Sequence, residues 1–389
     1  MSKINIRSFS NENDDGAPDI VGVSTFSATS YFVPSKGTTA QRPSDHVEVG
    51  SIRFNTDISN LEYYRGHTVG WSQFELIDPE LGGGTGSNTG LGTRGIFVGG
   101  YSPAGTYDIE FITISTLGDS QDFGDLANTH AGGSSTNDRT RGWYSGGSIP
   151  SAQDHMTFIT IASLGNATDA GSLTAATQGL LQGLSSSTRG LIVGGRNSSG
   201  DEINVIQYHT IQSLGNAVDF GDLTAPTSYN CNGIMSSTRG ITSGGYSPDA
   251  PTLVDRMEYV TMATLGNSTD FGNLSRATQS CSGASSSTRG LICGGRTPSN
   301  ENNIEYITIA TTGNTTDFGD LAQAGLTGDI NALSSPTRCV ISGGGAPSGG
   351  KMGYVEISTL GNSTFFGDLT VAGTSLQSAG TVSNGHGGL

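Results

Sequence analysis

From residue 93 onward the chain is built of short runs in which apolar and polar residues alternate, such as Ile304-Glu305-Tyr306-Ile307-Thr308-Ile309. The runs are four to seven residues long, rich in Ile, Val, Thr, Tyr and Phe, and bounded by Gly, Asn and Ser. That pattern predicts β-strands. No window holds a sustained helical period with caps, so essentially no helix is expected. The runs also repeat. The blocks TRGIFVGG, TRGWYSGG, TRGLIVGG, TRGITSGG, TRGLICGG and TRCVISGG place arginines at Arg94, Arg141, Arg189, Arg239, Arg289 and Arg338, at steps of 47, 48, 50, 50 and 49 residues by subtraction.

Each unit keeps one internal order. Gly-Gly is followed by a loop of variable length, an alternating run, a turn that usually reads Leu-Gly-Asn, and an Asp-Phe-Gly-Asp-Leu block. A Ser/Thr/Gly-rich stretch then leads into the next Thr-Arg-Gly. Four short strands in about 49 residues, repeated six times, match the blade of a β-propeller. A solenoid with this period would need atypical capping repeats at both ends, and none is seen. The first Thr-Arg-Gly, at Thr93, lacks the stretch that precedes the others, whereas Leu376–Ser383 resembles that stretch and has no Thr-Arg-Gly behind it. Pairing the two would close a ring and remove two exposed sheet edges. The expected fold is therefore all-β, a six-bladed propeller with four-stranded blades, its ring closed by the C-terminal strand.

Composition narrows the function classes. The 389 residues include 60 Gly and are 33% apolar and 13% charged, about half the usual charged share of roughly 25%. Pro is low and no G-X-Y period appears, which excludes collagen. A formal charge of −16 disfavours nucleic-acid binding, because little would neutralise phosphates. No apolar leader and no stretch near 18 apolar residues is present, so neither a secretory signal nor membrane insertion is expected. Four Cys do not make a disulfide scaffold. Cys231 and Cys281, each eight residues before an arginine, are expected too far apart to bond, and Cys293 and Cys339 replace small or apolar strand residues.

The six arginines are one third of the 18 Lys+Arg. A charge repeated at one position is expected to be structural, tying each blade to a neighbour. Its partners would be the repeated acids (Asp122, Asp125, Asp219, Asp222, Asp270, Asp317, Asp320, Asp368) or backbone carbonyls, which suit the planar guanidinium fork. Asp-Phe-Gly imitates a kinase motif, but it recurs, and no His-Arg-Asp or Gly-rich phosphate loop accompanies it; Phe is expected to pack between blades and Gly to allow a turn. Gly-Gly reads as close packing or a bulge. Leu-Gly-Asn reads as a tight turn rather than a glycan acceptor at Asn166, Asn267, Asn314 and Asn362. Asn11–Gly16 imitates the start of a calcium loop, but Gly22 stands where its twelfth-position acid should be. The six His show no ligand spacing. No metal, no cofactor and no catalytic constellation is expected, and the chain is read as no enzyme.

Variation concentrates in the loops after Gly-Gly, and a constant scaffold with one varied rim is a common way to build a binding site. Tyr101, Arg196, Tyr246 and Arg296, each directly behind a Gly-Gly pair, are the candidate ligand contacts.

Two resemblances add to this. Gly-Gly in all six units and Tyr208, Tyr259, Tyr306 and Tyr354 resemble kelch-type propellers, with Phe123, Phe220, Phe271, Phe318 and Phe366 where a kelch Trp would stand. The likeness covers residues 93–389 and implies six blades. Residues 30–76, with Thr38-Thr39-Ala40-Gln41-Arg42-Pro43, Gly50–Asp57, Leu61–Tyr64 and Trp71, are similar to a small β module of tail-fibre and appendage proteins of tailed phages, notably those infecting cyanobacteria. The organisation implied is an attachment region at 1–81, a Gly-rich linker at 82–92 and the propeller at 93–389. The protein would be a virion component, made in the host cytoplasm. Its N-terminal region would hold other virion proteins, and its propeller a host-surface polysaccharide or receptor; fibres of this kind are often homotrimers. Alternatives are a purely structural virion component and a glycan-degrading propeller enzyme.

Overall fold

A computed structural model of the chain describes residues 34–44, 47–57, 60–73, 93–102, 104–149, 151–180, 183–249, 252–323, 328–344, 350–370 and 376–389. The chain divides into two compact units, Met1–Ile77 and Asp78–Leu389. Apart from one 3-10 turn at Thr39–Gln41, every regular element among the described residues is a strand. The expected linker at 82–92 lies outside the described residues.

The first unit holds one sheet, ordered Lys36–Gly37, Ile52–Asn55, Asn60–Tyr64, Trp71–Gln73. The first pair is parallel and the rest antiparallel. Lys36–Gly37 was not foreseen, because two residues carry no period. Period-two alternation puts Arg53, Asn55, Glu62 and Tyr64 on one face, and all four are buried. Glu62 accepts from Arg42 at 2.6 Å and from Asn55 at 3.2 Å, and lies 3.3 Å from Arg53. Burial pushes the Glu62 carboxyl up, but the bonds from Arg42 and Asn55 outweigh this and hold it below the usual carboxylate range. In a buried ionic network of this kind the cost of desolvation offsets much of the attraction.

Among the described residues the second unit contains six larger antiparallel sheets, five of them four-stranded and one, that of Arg94, five-stranded through the short strand Tyr101–Ser102, and two two-stranded ribbons. Each second strand starts at a repeated arginine: Arg94–Val98, Arg141–Ser145, Arg189–Val193, Arg239–Ser243, Arg289–Cys293 and Arg338–Gly343. The first strands of the last five sheets are Ser134–Asn137, Leu184–Ser185, Cys231–Met235, Ser282–Ser285 and Ile330–Ser334, while the sheet of Arg94 takes its first strand from the other end of the chain. There Gly380–Ser383 pairs with Arg94–Val98, from Gly380↔Val98 to Ser383↔Gly95. Strand lengths run from two residues (Leu184–Ser185) to ten (Thr168–Thr177), a wider range than expected.

Second strands are buried on both sides, which explains their unbroken apolar runs. Each hydrophobic cluster is shared by two consecutive sheets. One joins Cys231, Ile241 and Phe271 to Cys281, Ile292 and Ile307; another joins Val340, Met352 and Phe366 to Phe97, Ile112 and Ile114. Each fully buried Leu, Ile or Phe contributes roughly 1.5–3 kcal/mol. The third and fourth strands add an edge-to-face aromatic pair in five sheets, for example Tyr306–Phe318 at 6.2 Å and 74°.

The Asp-Phe-Gly block has a different cause from the expected turn. Its glycine lies inside the fourth strand, against the Leu-Gly-Asn turn of the next sheet. A Cβ on Gly319 (φ 147°) would collide with the carbonyl of Gly361. Gly361 donates to Phe318 O at 2.9 Å, Ser363 to Asp320 O at 2.8 Å, and the Asn362 side chain accepts from Asp320 N–H at 2.9 Å. The same contact joins Gly124 to Gly165, Gly171 to Gly215, Gly221 to Gly266, Gly272 to Gly313 and Gly367 to Gly118. The sequon asparagines are thus turn residues whose side chains bond the neighbouring sheet.

First strands are bonded to one another through small hydroxyls. Asn137 N–H donates to Ser185 Oγ at 2.9 Å, Ser185 N–H to Met235 Sδ at 3.1 Å, Met235 N–H to Ser285 Oγ at 3.0 Å, and Ser285 N–H to Ser334 Oγ at 3.2 Å. Ser383 Oγ donates to Ser334 O, and Asn137 Nδ2 donates to Ser383 O. All of these but Ser383 stand four places before an arginine, so the Ser-rich stretches are strands that approach one another closely enough for short side chains to bond the next strand, with Met235 filling one place through its sulfur.

A buried polar residue in the third strand makes one further link. Glu258 accepts from the Thr224 hydroxyl and N–H of the preceding sheet, Glu305 from Ser275, and Gln207 from Thr174 N–H at 2.8 Å. Because Gln207 does this without charge, Glu258→Gln is expected to melt within about 2 °C of the parent. Glu258→Leu strands two donors at a cost of roughly 1–3 kcal/mol, read as a drop of several degrees in a thermal melt.

Candidate functional site

The loop ends of the sheets are set by Gly-Gly. Gly194 (φ 61°) and Gly195 (φ 100°) are both left-handed, and a Cβ on Gly194 would strike Thr227 O, so only glycine serves. The chain turns there, and the next residue bridges the segment that enters the first strand of the same sheet. The bridges are Tyr101↔Gln377, Arg196↔Gln178, Tyr246↔Ser228 and Arg296↔Gln279. The four candidate contacts therefore hold equivalent places on different sheets.

Two of them meet. The Arg196 guanidinium lies 4.9 Å from the ring centre of Tyr229 and 5.6 Å from that of Tyr246, and pairs with Glu202 at 2.7 Å. Its Nη1 also donates to the Tyr229 hydroxyl at 3.4 Å. Such cation–π contacts contribute roughly 0.5–2 kcal/mol, more as they are desolvated. Tyr229 is left-handed (φ 55°), which is rare for an aromatic residue; it is held there by bonds from its N–H to Gly179 O and to its O from Ser280 N–H. Arg296 forms its own pair with Asp329 at 3.0 Å, and Tyr101 is 47% exposed. Tyr229 and Glu202 escaped the sequence reading, since a strained φ and a cross-loop pair leave no periodic trace. Parts of several of these loops, Pro103, Pro150, 250–251 and 345–349, lie outside the described residues.

The repeated arginines stand at the other end of the sheets. Of the two expected partner classes, they take the carbonyls. Nη1 of Arg94, Arg189, Arg289 and Arg338 donates to Ile161 O at 2.7 Å, Met262 O at 3.1 Å, Ile357 O at 2.9 Å and Ile114 O at 3.1 Å, each on the next sheet. Arg239 does the same to Ile309 O, and Arg141 to Ile211 O at 3.5 Å. Every guanidinium also lies over a third-strand ring, from 4.4 Å (Arg338, Tyr354) to 5.0 Å (Arg189, Tyr208). The repeated aspartates instead offer their backbone to the neighbouring turn, and the first Asp of each block is exposed. Beside them Leu117, Leu164, Leu214, Leu265 and Leu360, at the tips of these turns, are 56–60% exposed.

Among the described residues no group of three or more His, Cys, Asp or Glu could hold a metal. The calcium-like stretch lies outside them. His130, His209 and His386 are buried, and burial lowers all three, His209 and His386 to about 4. The four cysteines are buried and free. No disulfide joins Cys231 to Cys281, in line with expectation; burial and the neighbouring Cys231 push the Cys281 thiol up, and the neighbouring Cys339 and burial push the Cys293 thiol up. No described helix is long and apolar enough to cross a membrane. No protein-family model matches the chain, and no curated protein matches it.

Proposed function

We propose that residues 93–389 form a closed six-bladed propeller, and that this propeller is the binding head of a phage tail fibre or similar virion appendage whose target is a host-surface glycan. Closure is supported by four sets of links, the shared cores, the arginine bonds, the turn–glycine contacts and the first-strand hydroxyls, each of which steps from sheet to sheet and returns to the first. The attachment role of residues 1–81, toward other virion proteins and as a homotrimer, rests on the resemblance over 30–76.

The observation that carries the binding role is the cluster of Arg196, Glu202, Tyr229 and Tyr246 at the variable loop end. Flat aromatic faces suit a pyranose ring, and a guanidinium–carboxylate pair suits its hydroxyls. Many copies on one particle would turn modest affinity into firm attachment. The five exposed turn leucines favour a second reading, in which the opposite end packs on another virion protein.

The test is binding of the labelled full chain to susceptible and resistant host cells. Susceptible cells alone should bind, and Arg196→Ala or Tyr246→Ala should weaken binding about tenfold, equivalent to about 1.4 kcal/mol. Equal binding to both cell types, or binding untouched by either variant, overturns the reading. Release of oligosaccharides from the host surface would favour the enzyme alternative.

A further inference from the structure

Residues 384–389 belong to no strand, yet Gly385–Gly388 are buried and Asn384 and Leu389 partly so. Asn384 is bonded both ways to the backbone of Arg94: its Oδ1 accepts from Arg94 N–H at 2.8 Å and its N–H donates to Arg94 O at 3.3 Å. Gly387 N–H donates to Ser285 O at 3.0 Å. Glycine is required by the closeness of the surroundings. A Cβ on Gly385 would meet Thr93 and Pro336, on Gly387 the carbonyls of Ser286 and Met235, and on Gly388 that of Ser185. With His386 beside Asn137 O at 3.2 Å, the segment lies against residues of five sheets and against Pro336, in the turn between the first two strands of the sixth. Behind it lies a cavity of about 20 Å³ lined by Asn137, Ser185, Ser334, Thr381 and Ser383, room for about one water.

His386 holds this segment in one protonation state. Its Nδ1 accepts from Gly388 N–H at 3.1 Å, so the ring proton sits on Nε2 and is given to Asn137 O. A second proton could only go to Nδ1, where it would face the Gly388 donor. The charged neighbours are Asp138 and Arg139, of opposite sign and from one turn; the contacts from the other five repeats, Thr93, Ser185, Met235, Ser286 and Pro336, carry no charge.

We propose that Asn384–Leu389 is a releasable plug across the ends of the six first strands, with His386 as its proton-sensitive anchor. At neutral pH the plug is seated; on acidification the imidazolium cannot keep the Gly388 bond, and the segment leaves while the sheets stay folded. The depressed basicity of buried His386, which titrates at about 4 when seated, means that the released, solvated ring takes up the proton more readily.

The test is amide exchange of the full-length protein, corrected for intrinsic rates, at pH 7 and pH 5. Protection of Gly387, Gly388 and Leu389 should fall at least tenfold further than that of Ile96 and Phe97. His386→Lys, charged at all these pH values, should leave the three tail amides unprotected already at pH 7 with the sheet amides still protected. Tail protection that falls only in step with the sheets, or a tail still protected in His386→Lys, overturns the proposal.

Discussion

Deleting Gly380–Leu389 is expected to abolish cooperative folding of the repeat unit. The deletion removes the whole ladder partner of Arg94–Val98. It removes Val382, 1% exposed and packed in one cluster with Ile96, Tyr144 and Ile159. It also removes the bonds from Thr381 and Ser383 to Ala332 and Ser334 on one side, and those with Ser135 and Asn137 on the other. One buried Val at roughly 1.5–2 kcal/mol and several bonds at roughly 1 kcal/mol each come to at least 5 kcal/mol, comparable with the entire stability of many domains. The bared edge of Arg94–Val98 then invites aggregation. A thermal melt should show no transition, or one lowered by more than about 10 °C, whereas deletion of 384–389 alone should lower it by only a few degrees. A melting point within about 3 °C of the parent for the larger deletion would contradict the arrangement of the sheets described above.

The second large effect is acid lability well above the carboxylate range. His209 and His386 titrate at about 4 when folded, chiefly because burial disfavours their charged forms, against about 6.5 in an unfolded chain. The unfolded state therefore binds more protons between these values. Stability is full above about pH 6.5, declines as pH falls toward 4, and levels off below. At pH 5 each histidine accounts for ~2 kcal/mol of lost stability relative to pH 8, and His130, shifted in the same direction by burial, adds to this. Release of the tail limits the share of His386, since undocking frees its ring. Urea unfolding at pH 8, 6.5 and 5 should show the decline. His209→Gln loses the 2.7 Å bond with Thr136 and should be weaker at pH 8, yet its pH slope should be shallower. An unchanged slope would remove His209 from the account.

The spacing of the arginines and the orphaned stretch at 376–383 made the six sheets and the pairing of Gly380–Ser383 with the first repeat legible before any coordinates. The strands follow from the same alternation, but their joints do not. Gly319 reads as a turn former until Gly361 is found against it, because the contact spans 42 residues and is made by backbone. The first-strand hydroxyls were readable in principle: Asn137, Ser185, Met235, Ser285 and Ser334 each precede an arginine by four residues, but three residue types at one position hid the common role. At the loop end, Arg196 and Tyr246 could be picked out by their place behind Gly-Gly. Tyr229 and Glu202 could not, since their importance lies in a left-handed φ and an ion pair. The tail was the least legible: Asn-Gly-His-Gly-Gly-Leu looks like a spacer until its carbonyl surroundings are known.

The pairing of Arg94–Val98 also has a mechanical side. That strand is where the repeats receive the chain from residues 1–77, and it lies between Gly380–Ser383 and Ala104–Thr113, antiparallel to both. Tension applied through the N-terminal unit while the loop end is held runs along the strand axis. It would load both ladders in shear, all rungs at once, rather than peel them open singly. The strand at which the repeats join residues 1–77 is thereby one that meets tension in shear.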